Sequence, residues 1–311
     1  MKHPYKKKWG QNFIHDQNTI NKIIKIINPI KNEEIIEIGP GLGSMTIPLA
    51  LKVKKITAIE IDPLCVNALN KKNIKNLEII NADILKINFS NYSNSSTVIG
   101  NLPYNISSPI LFHTMEQKNI NKMVFMLQKE LVERINSVPH KKIYGRISVM
   151  LQTYFKIKYH FPISKSVFQP VPKVDSAIIS LNRKPNPIQF PKIYSEIIKR
   201  AFQNRRKKLK NNLDFLHIDS ELKKFSNLRA EDLNYNDYIK IYDKYVLNKK
   251  TMKGIFGTDD WNEVTENLEV NPDADPPSIQ YVGKVSGKDI AIPITTIEIR
   301  EDGEGYGGSH K

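Results

Sequence analysis

Glu34-Ile35-Ile36-Glu37-Ile38 is a short apolar strand candidate that runs straight into Gly39-Pro40-Gly41-Leu42-Gly43, with helical character from Ser44 onward. A strand, a glycine turn and a helix start form the nucleotide-binding element of doubly wound α/β folds, where glycines let the backbone approach a ligand closely. The spacing here is Gly-x-Gly-x-Gly, not the Gly-x-Gly-x-x-Gly of dinucleotide sites. Pro40 sits inside the turn and no Lys-Ser/Thr pair follows, which disfavours a phosphate cradle.

Three further strand candidates carry polar groups at their carboxyl ends, where open α/β sheets bind ligands. Lys55–Ile59 ends in Glu60, nineteen residues past Gly41, placed to bind ribose hydroxyls. Leu77–Asn81 is followed by Ala82-Asp83, whose carboxylate suits an adenine amine, and Thr97–Ile99 delivers Asn101. Each acid alone reads as a solvated loop residue, but four strands in succession outweigh that reading. The fourth strand opens the run Gly100-Asn-Leu-Pro-Tyr-Asn-Ile-Ser-Ser108. Its amide oxygen and turn carbonyls can accept hydrogen bonds from an exocyclic NH₂ while Tyr104 stacks on a heterocycle, which points to chemistry on a nucleobase. In isolation Asn-Leu-Pro-Tyr is also an ordinary turn.

With these motifs in order, the sequence closely resembles the ribosomal RNA adenine dimethyltransferase family over about residues 5–250. The matching blocks are Gly10-Gln-Asn-Phe13, Glu37-Ile-Gly-Pro-Gly-Leu-Gly43, Glu60-Ile-Asp62, Asn81-Ala-Asp83, Gly100–Ser107, Met126-Leu-Gln-Lys-Glu130, Tyr144–Val149 and Phe168–Ser176. The resemblance implies a class I methyltransferase: a Rossmann-like, seven-stranded, mostly parallel sheet over residues 1–183, then a small helical RNA-binding domain over 184–250. It implies S-adenosylmethionine as cofactor, with Asn12 and Ile14 beside it, Gly39 on its methionine portion, Gly41 also in the cofactor site, Glu60 on the ribose and Asp83 on the adenine amine. Asn101 would lie between cofactor and target base, with Leu102 and Pro103 completing the catalytic run, and Tyr104 and Phe168 would clamp a flipped adenine. The implied substrate is a pair of adjacent adenines near the 3′ end of small-subunit rRNA in a pre-30S particle, met by a monomer. Trp9 stands where the family usually has phenylalanine, which keeps an aromatic platform.

The chemistry asks little else of the protein. A sulfonium methyl is strongly electrophilic, whereas the lone pair of an adenine amine is delocalised into its ring. Acceptors at Asn101 and at a backbone carbonyl near Leu102 or Pro103 would favour the pyramidal amine and hold it in line, with no dedicated general base. Stacking on Tyr104 and Phe168, worth roughly 1–3 kcal/mol per base, would offset the cost of unstacking the target.

Charge supports an RNA substrate once the chain is divided. The whole holds 47 Lys+Arg against 32 Asp+Glu, but residues 251–311 hold 5 of the bases and 12 of the acids, leaving 1–250 at +22. Such an excess is the footprint of phosphate binding. Lys2, Lys6, Lys7 and Lys8 flank the first motif, and Lys199, Arg200, Arg205, Arg206, Lys207, Lys208 and Lys210 fall in one acid-free window. The second cluster continues a helical stripe of Tyr194, Ile197, Ile198, Ala201 and Phe202, so an apolar face packs on a core while the basic face meets RNA. Six glycines lie in the first 250 residues, all within matched blocks, and eight in the tail, which draws the same boundary.

Elsewhere, Asp16 is a candidate N-cap for a helix through Ile20, Ile23, Ile24 and Ile27 that Pro29 stops. Met123–Leu127, Phe155–Tyr159 and Ala177–Leu181 bring the strand candidates to seven, with a helix over Tyr144–Leu151. Residues 183–187 read as a Pro-containing linker. The acidic tail 251–311 is expected to be either β, over Ser278–Val282 and Ile290–Arg300, or disordered, and matches no recognised pattern. It reads as an appended segment in preference to an acidic flap over the basic cleft.

The single cysteine, Cys65, precludes an internal disulfide, suits the cytosol and fits helix packing better than catalysis. No stretch has transmembrane length, the basic N-terminus lacks a signal-peptide core, and the seven histidines show no metal-ligand spacing. A cytoplasmic, metal-free, membrane-free enzyme is expected. Among rivals, a large-subunit rRNA methyltransferase of the macrolide-resistance type is opposed by the block Ala201–Leu213, which resembles the small-subunit branch. A non-catalytic relative is opposed by the intact Asn101–Tyr104 run, and a small-molecule or DNA methyltransferase by the Phe168 block and the helical domain.

Overall fold

The computed structural model describes residues 11–92, 96–185, 192–213, 216, 220–256, 268–271, 278–285 and 288–293. Two compact units divide at Ile198/Lys199. The first begins with β1 (Phe13–Ile14) and α1 (Gln17–Ile27). Asp16 caps α1 as expected, accepting from the Thr19 N–H at 2.7 Å and the Thr19 hydroxyl at 2.6 Å. Ile20, Ile23, Ile24 and Ile27 are buried along one face. The helix ends because Asn28 turns left-handed, φ 46°, and Pro29 follows the cap.

Then come β2 (Glu34–Ile38), α2 (Thr46–Ala50), β3 (Lys55–Glu60), α3 (Pro63–Asn70), β4 (Leu77–Asn81), β5 (Ser96–Asn101), α4 (Ser107–Met115) and β6 (Ile120–Gln128). After these lie α5 (Lys129–Ile135), α6 (Arg146–Tyr154), β7 (Phe155–Ile163), β8 (Phe168–Gln169) and β9 (Ser176–Arg183). The helix expected over 144–151 starts two residues later, since Gly145 is its cap and donates its N–H to the Ser148 hydroxyl at 3.1 Å. Cys65 is fully buried on α3.

The seven-stranded sheet has the order β4-β3-β2-β5-β6-β9-β7. Pairings from β4 through β6 are parallel, and β9 runs antiparallel to both its neighbours. This is the mostly parallel α/β sheet expected. Its order reverses between β2 and β5, so their carboxyl ends diverge into the crevice that open sheets use for ligands. Both strands are apolar because both faces are covered, which Ile35, Ile36, Ile38, Val98 and Ile99 satisfy with at most 2% exposure. Gly100 is required where they approach: a Cβ there would lie 2.6 Å from the Ile38 carbonyl oxygen. Gly100→Ala is expected to cost about 2 kcal/mol through overpacking against backbone that cannot yield, read as a lower urea midpoint at unchanged m. An unshifted midpoint would show that the two strands can part at no cost.

In the second unit, the helix α7 (Lys192–Gln203) runs in from the first, followed by α8 (Ser220–Lys223) and α9 (Tyr235–Phe256). Its core includes Leu209, Leu213, Leu222, Leu233, Tyr238 and Ile241. The buried Asn212 amide donates to the Ala201 carbonyl at 2.8 Å, and the Tyr238 hydroxyl donates to the Ala230 carbonyl at 2.9 Å. The tail contributes an antiparallel ribbon of β10 (Leu268–Asn271), β11 (Ser278–Val285) and β12 (Lys288–Pro293). Strand character thus holds for Ser278–Val282 and the first part of Ile290–Arg300; residues 294–300 lie outside the described residues.

Candidate active site

A cleft of about 730 Å³, its solvent-filled mouth included, opens at the carboxyl ends of β2, β3, β4 and β5. Gly39, Gly41, Glu60, Asp83, Asn101, Leu102, Pro103, Tyr104 and Asn12 all line it, so the structure brings together most of the residues singled out from sequence. Gln11, Phe13 and Ile61, each inside a matched block, also line it, as do Ile84 and Ile110, which carry no motif signal and are recruited by topology alone.

The glycine turn is built from left-handed backbone: Gly39 has φ +66° and Gly41 φ +58°. A Cβ at Gly41 would fall 2.5 Å from the Phe13 ring, so the ring occupies the space that glycine leaves free. Glu60 is 6% exposed and accepts one backbone bond on each oxygen, from Asp62 N–H at 2.9 Å and Gly41 N–H at 3.1 Å. Burial pushes its pKa above the ordinary carboxylate range, partly opposed by those two N–H bonds. Each oxygen keeps a lone pair for a hydroxyl pair in the cleft. Asp83 uses one oxygen to cap the turn at Leu85, 3.0 Å, and keeps the other for a donor.

Asn101 is oriented by its own hydrogen bond. Its amide nitrogen donates to the Asn12 carbonyl at 2.7 Å, which leaves Oδ1 as the acceptor available to a ligand. The backbone carbonyls that follow are not equivalent. Pro103 already accepts from Ile106 N–H at 3.2 Å and from the Ser107 hydroxyl at 2.8 Å, whereas the Leu102 carbonyl accepts no such bond among the described residues. Of the two carbonyl candidates, Leu102 is therefore the one with capacity. The Leu102 N–H is tied to Met126 at 3.1 Å, which fixes the turn against β6. Tyr104 is half-buried, its hydroxyl 2.7 Å from that of Ser176 on β9. Burial raises its phenol pKa, so the ring is neutral.

Two assigned residues are not at the cleft. Phe168 is 1% exposed and Ile14 4% exposed; they face each other in the antiparallel pair β1–β8 and pack in the core with Ile24 and Ile178. The ring of Phe168 is thus buried in place of standing opposite Tyr104, because the β1–β8 pairing turns it inward. Asn12 reaches the cleft just before that pair. In the basic cluster, Arg206, Lys207 and Lys208 are exposed, but the Arg205 guanidinium is ion-paired with Glu231. Lys6, Lys7, Lys8, Trp9 and Gly10 lie outside the described residues. Among the described residues, no group of three or more His, Cys, Asp or Glu could hold a metal, and no helix is long and apolar enough to cross a membrane.

A family model described as ribosomal RNA adenine dimethylase matches residues 2–248. The chain belongs to that family. A protein of Wigglesworthia glossinidia brevipalpis named ribosomal RNA small subunit methyltransferase A is 44% identical over 256 residues, 78% of this chain and 98% of the relative. A protein of the same name from Legionella pneumophila is 40% identical over 259 residues, 80% of this chain and 100% of the relative. Among solved structures, a dimethyladenosine transferase from Plasmodium falciparum superposes with TM-score 0.68 at 22% identity, covering 75% of this chain and 97% of the other. A 23S rRNA methyltransferase superposes with TM-score 0.59 at 23% identity, covering 75% and 98%. At that identity these two carry the fold only, and they agree with the class I methyltransferase sheet. The last residues, 249–311, lie beyond the family match.

Proposed function

We propose that this chain transfers methyl groups from S-adenosylmethionine to the exocyclic amines of two adjacent adenines near the 3′ end of small-subunit rRNA. It is an rRNA adenine dimethyltransferase, and the observation that carries its chemistry is the Asn101 amide, locked by Asn12 with its oxygen left to accept.

The residues present fit the cofactor. Glu60 offers lone pairs of a desolvated carboxylate to a ribose diol, Asp83 offers an oxygen to an adenine amine, and Gly39 leaves open backbone for the amino-acid portion, while Gly41 lets the Phe13 ring close on the turn. Bound there, S-adenosylmethionine supplies an electrophilic methyl. Asn101 Oδ1 and the Leu102 carbonyl accept hydrogen bonds from the N–H groups of the target amine, which draws its lone pair out of ring conjugation and aims it. Tyr104 stacks on the everted base, its ring steadied through Ser176. With the methyl passed from sulfur to nitrogen, the S–C bond broken as the N–C bond is made, the nitrogen would release one proton to water, so no buried general base is needed. Since Phe168 lies in the core, the base clamp rests on Tyr104 in this conformation.

The helical domain over 184–250 is the proposed RNA-binding partner of the catalytic domain over 1–183. Arg206, Lys207 and Lys208 are its exposed cations, joined by Lys6, Lys7 and Lys8 from the N-terminus. Partial ion pairing makes Arg205 the weakest of the set. The working assembly is a monomer on a pre-30S particle in the cytoplasm, a setting in which a lone buried Cys65 stays reduced. Incubating the protein with labelled S-adenosylmethionine and undermethylated small subunits, then mapping the modified bases, is expected to place label on two neighbouring adenines near the 3′ end. Label in large-subunit rRNA, or in none, would overturn the reading.

A further inference from the structure

Glu37, one residue before the cleft wall, is a buried acid with no role in the mechanism, and unlike the equally buried Asp62, which bonds Gln11 and Leu64, it has no partner. It has no exposed surface, and neither carboxylate oxygen has a hydrogen-bond partner; the nearby Thr46 hydroxyl is likewise unpartnered. Glu60, on the adjoining strand, differs in having both oxygens occupied by backbone donors. Buried carboxylates are ordinarily bonded or paired, so an orphan asks for a reason. What faces Glu37 sharpens the question: Thr46 from α2, close enough to ease its charge slightly without forming a well-made bond, and Glu60 from β3, a like charge. No cation pairs with it among the described residues.

We infer that Glu37 is the counter-charge by which this site distinguishes the sulfonium cofactor from its thioether product. The inference rests on the proposed use of S-adenosylmethionine. Ile38 and Gly39, the next two residues, line the cleft while Glu37 does not, so its action is through the low-dielectric interior and not by contact. At an effective dielectric of about 20, two unit charges as far as about 10 Å apart still change an equilibrium by about tenfold, so direct contact is not required. S-adenosylmethionine carries one positive charge more than S-adenosylhomocysteine, and that charge is lost when the methyl leaves. An ionised Glu37 favours the first ligand and has no comparable hold on the second, which promotes exchange of product for fresh cofactor. Burial holds the Glu37 pKa up at about 7, so the empty site is partly protonated at neutral pH and sulfonium entry expels a proton.

The test is titration calorimetry of the full chain with S-adenosylmethionine and with S-adenosylhomocysteine, from pH 6 to 8.5, in buffers of different ionisation enthalpy. For the wild type, the preference for S-adenosylmethionine is expected to rise about tenfold across that range, with proton release near pH 7 on binding S-adenosylmethionine alone. Glu37→Gln should make the preference flat and abolish the proton release. Thr46→Val, which removes the moderating hydroxyl, should move the midpoint to higher pH and so separates Glu37 from Glu60 even if the glutamine variant does not fold. A pH-independent preference in the wild type, or an unmoved midpoint in Thr46→Val, overturns the inference while leaving the methyltransferase reading intact. Failure of the wild type to bind either ligand overturns both.

Discussion

Asn101→Ala lowers the rate of methyl transfer by about a thousandfold while S-adenosylmethionine affinity stays within about tenfold, the magnitude seen when one preorganised polar partner of a reacting centre is deleted. The size follows from geometry. The side chain has one job on each side: its nitrogen is spent on the Asn12 carbonyl and its oxygen is the acceptor left for the amine. Alanine removes both, so the nucleophile loses an acceptor and the segment carrying Asn12 loses its tether to β5. Glu60, Asp83 and the glycine turn keep their own bonds, which is why binding changes far less. Asn101→Asp separates the two jobs, since it keeps an acceptor but cannot donate to Asn12. Its rate is expected between those of the wild type and the alanine variant. Single-turnover methylation of undermethylated small subunits, with calorimetry for the cofactor, reads both quantities. Wild-type turnover in Asn101→Ala would falsify the assignment.

The residues that could be placed from sequence share one physical property. Gly39, Glu60, Asp83 and Asn101 each sit at the carboxyl end of a parallel strand, and parallel strands laid side by side deliver those ends to one edge whatever the details of packing. What sequence left open depends on contacts made at long range. Phe168 reads as an exposed aromatic clamp until β8 is seen to pair with β1, some 150 residues earlier, which turns its ring into the core beside Ile14. What distinguishes the Leu102 and Pro103 carbonyls is the start of α4, whose Ile106 N–H and Ser107 hydroxyl fill the Pro103 oxygen. The pairing of Arg205 with Glu231 joins residues on separate local elements, and no local pattern announces it. Glu37 has the same character: within a five-residue strand it passes as the second of two glutamates, and only the closure of both sheet faces makes it a buried orphan.

That orphan also predicts an unusual stability profile. Burial raises the Glu37 pKa from 4.5 to about 7, with the Glu60 charge adding and Thr46 opposing. The folded state therefore holds a proton that the unfolded chain releases between those two values, and stability falls as pH rises through the window. Below pH 4.5 both states are protonated and the cost vanishes; above pH 8 it is complete, at about 3 kcal/mol for a shift of this size. Glutamine resembles the protonated acid at all pH values. The unfolding free energies of wild type and Glu37→Gln are accordingly expected to lie close together near pH 5 and to separate by about 3 kcal/mol by pH 8, the variant being the more stable. For a chain of this size that separation is a difference of roughly 5 °C in midpoint. Reading the gap between two curves cancels the titration of groups that do not interact with Glu37; the buried Glu60, which does, contributes only through that coupling. Curves that run parallel from pH 5 to 8 would mean that Glu37 has found a partner in solution, and with it a different account of why a carboxylate lies beneath the glycine turn.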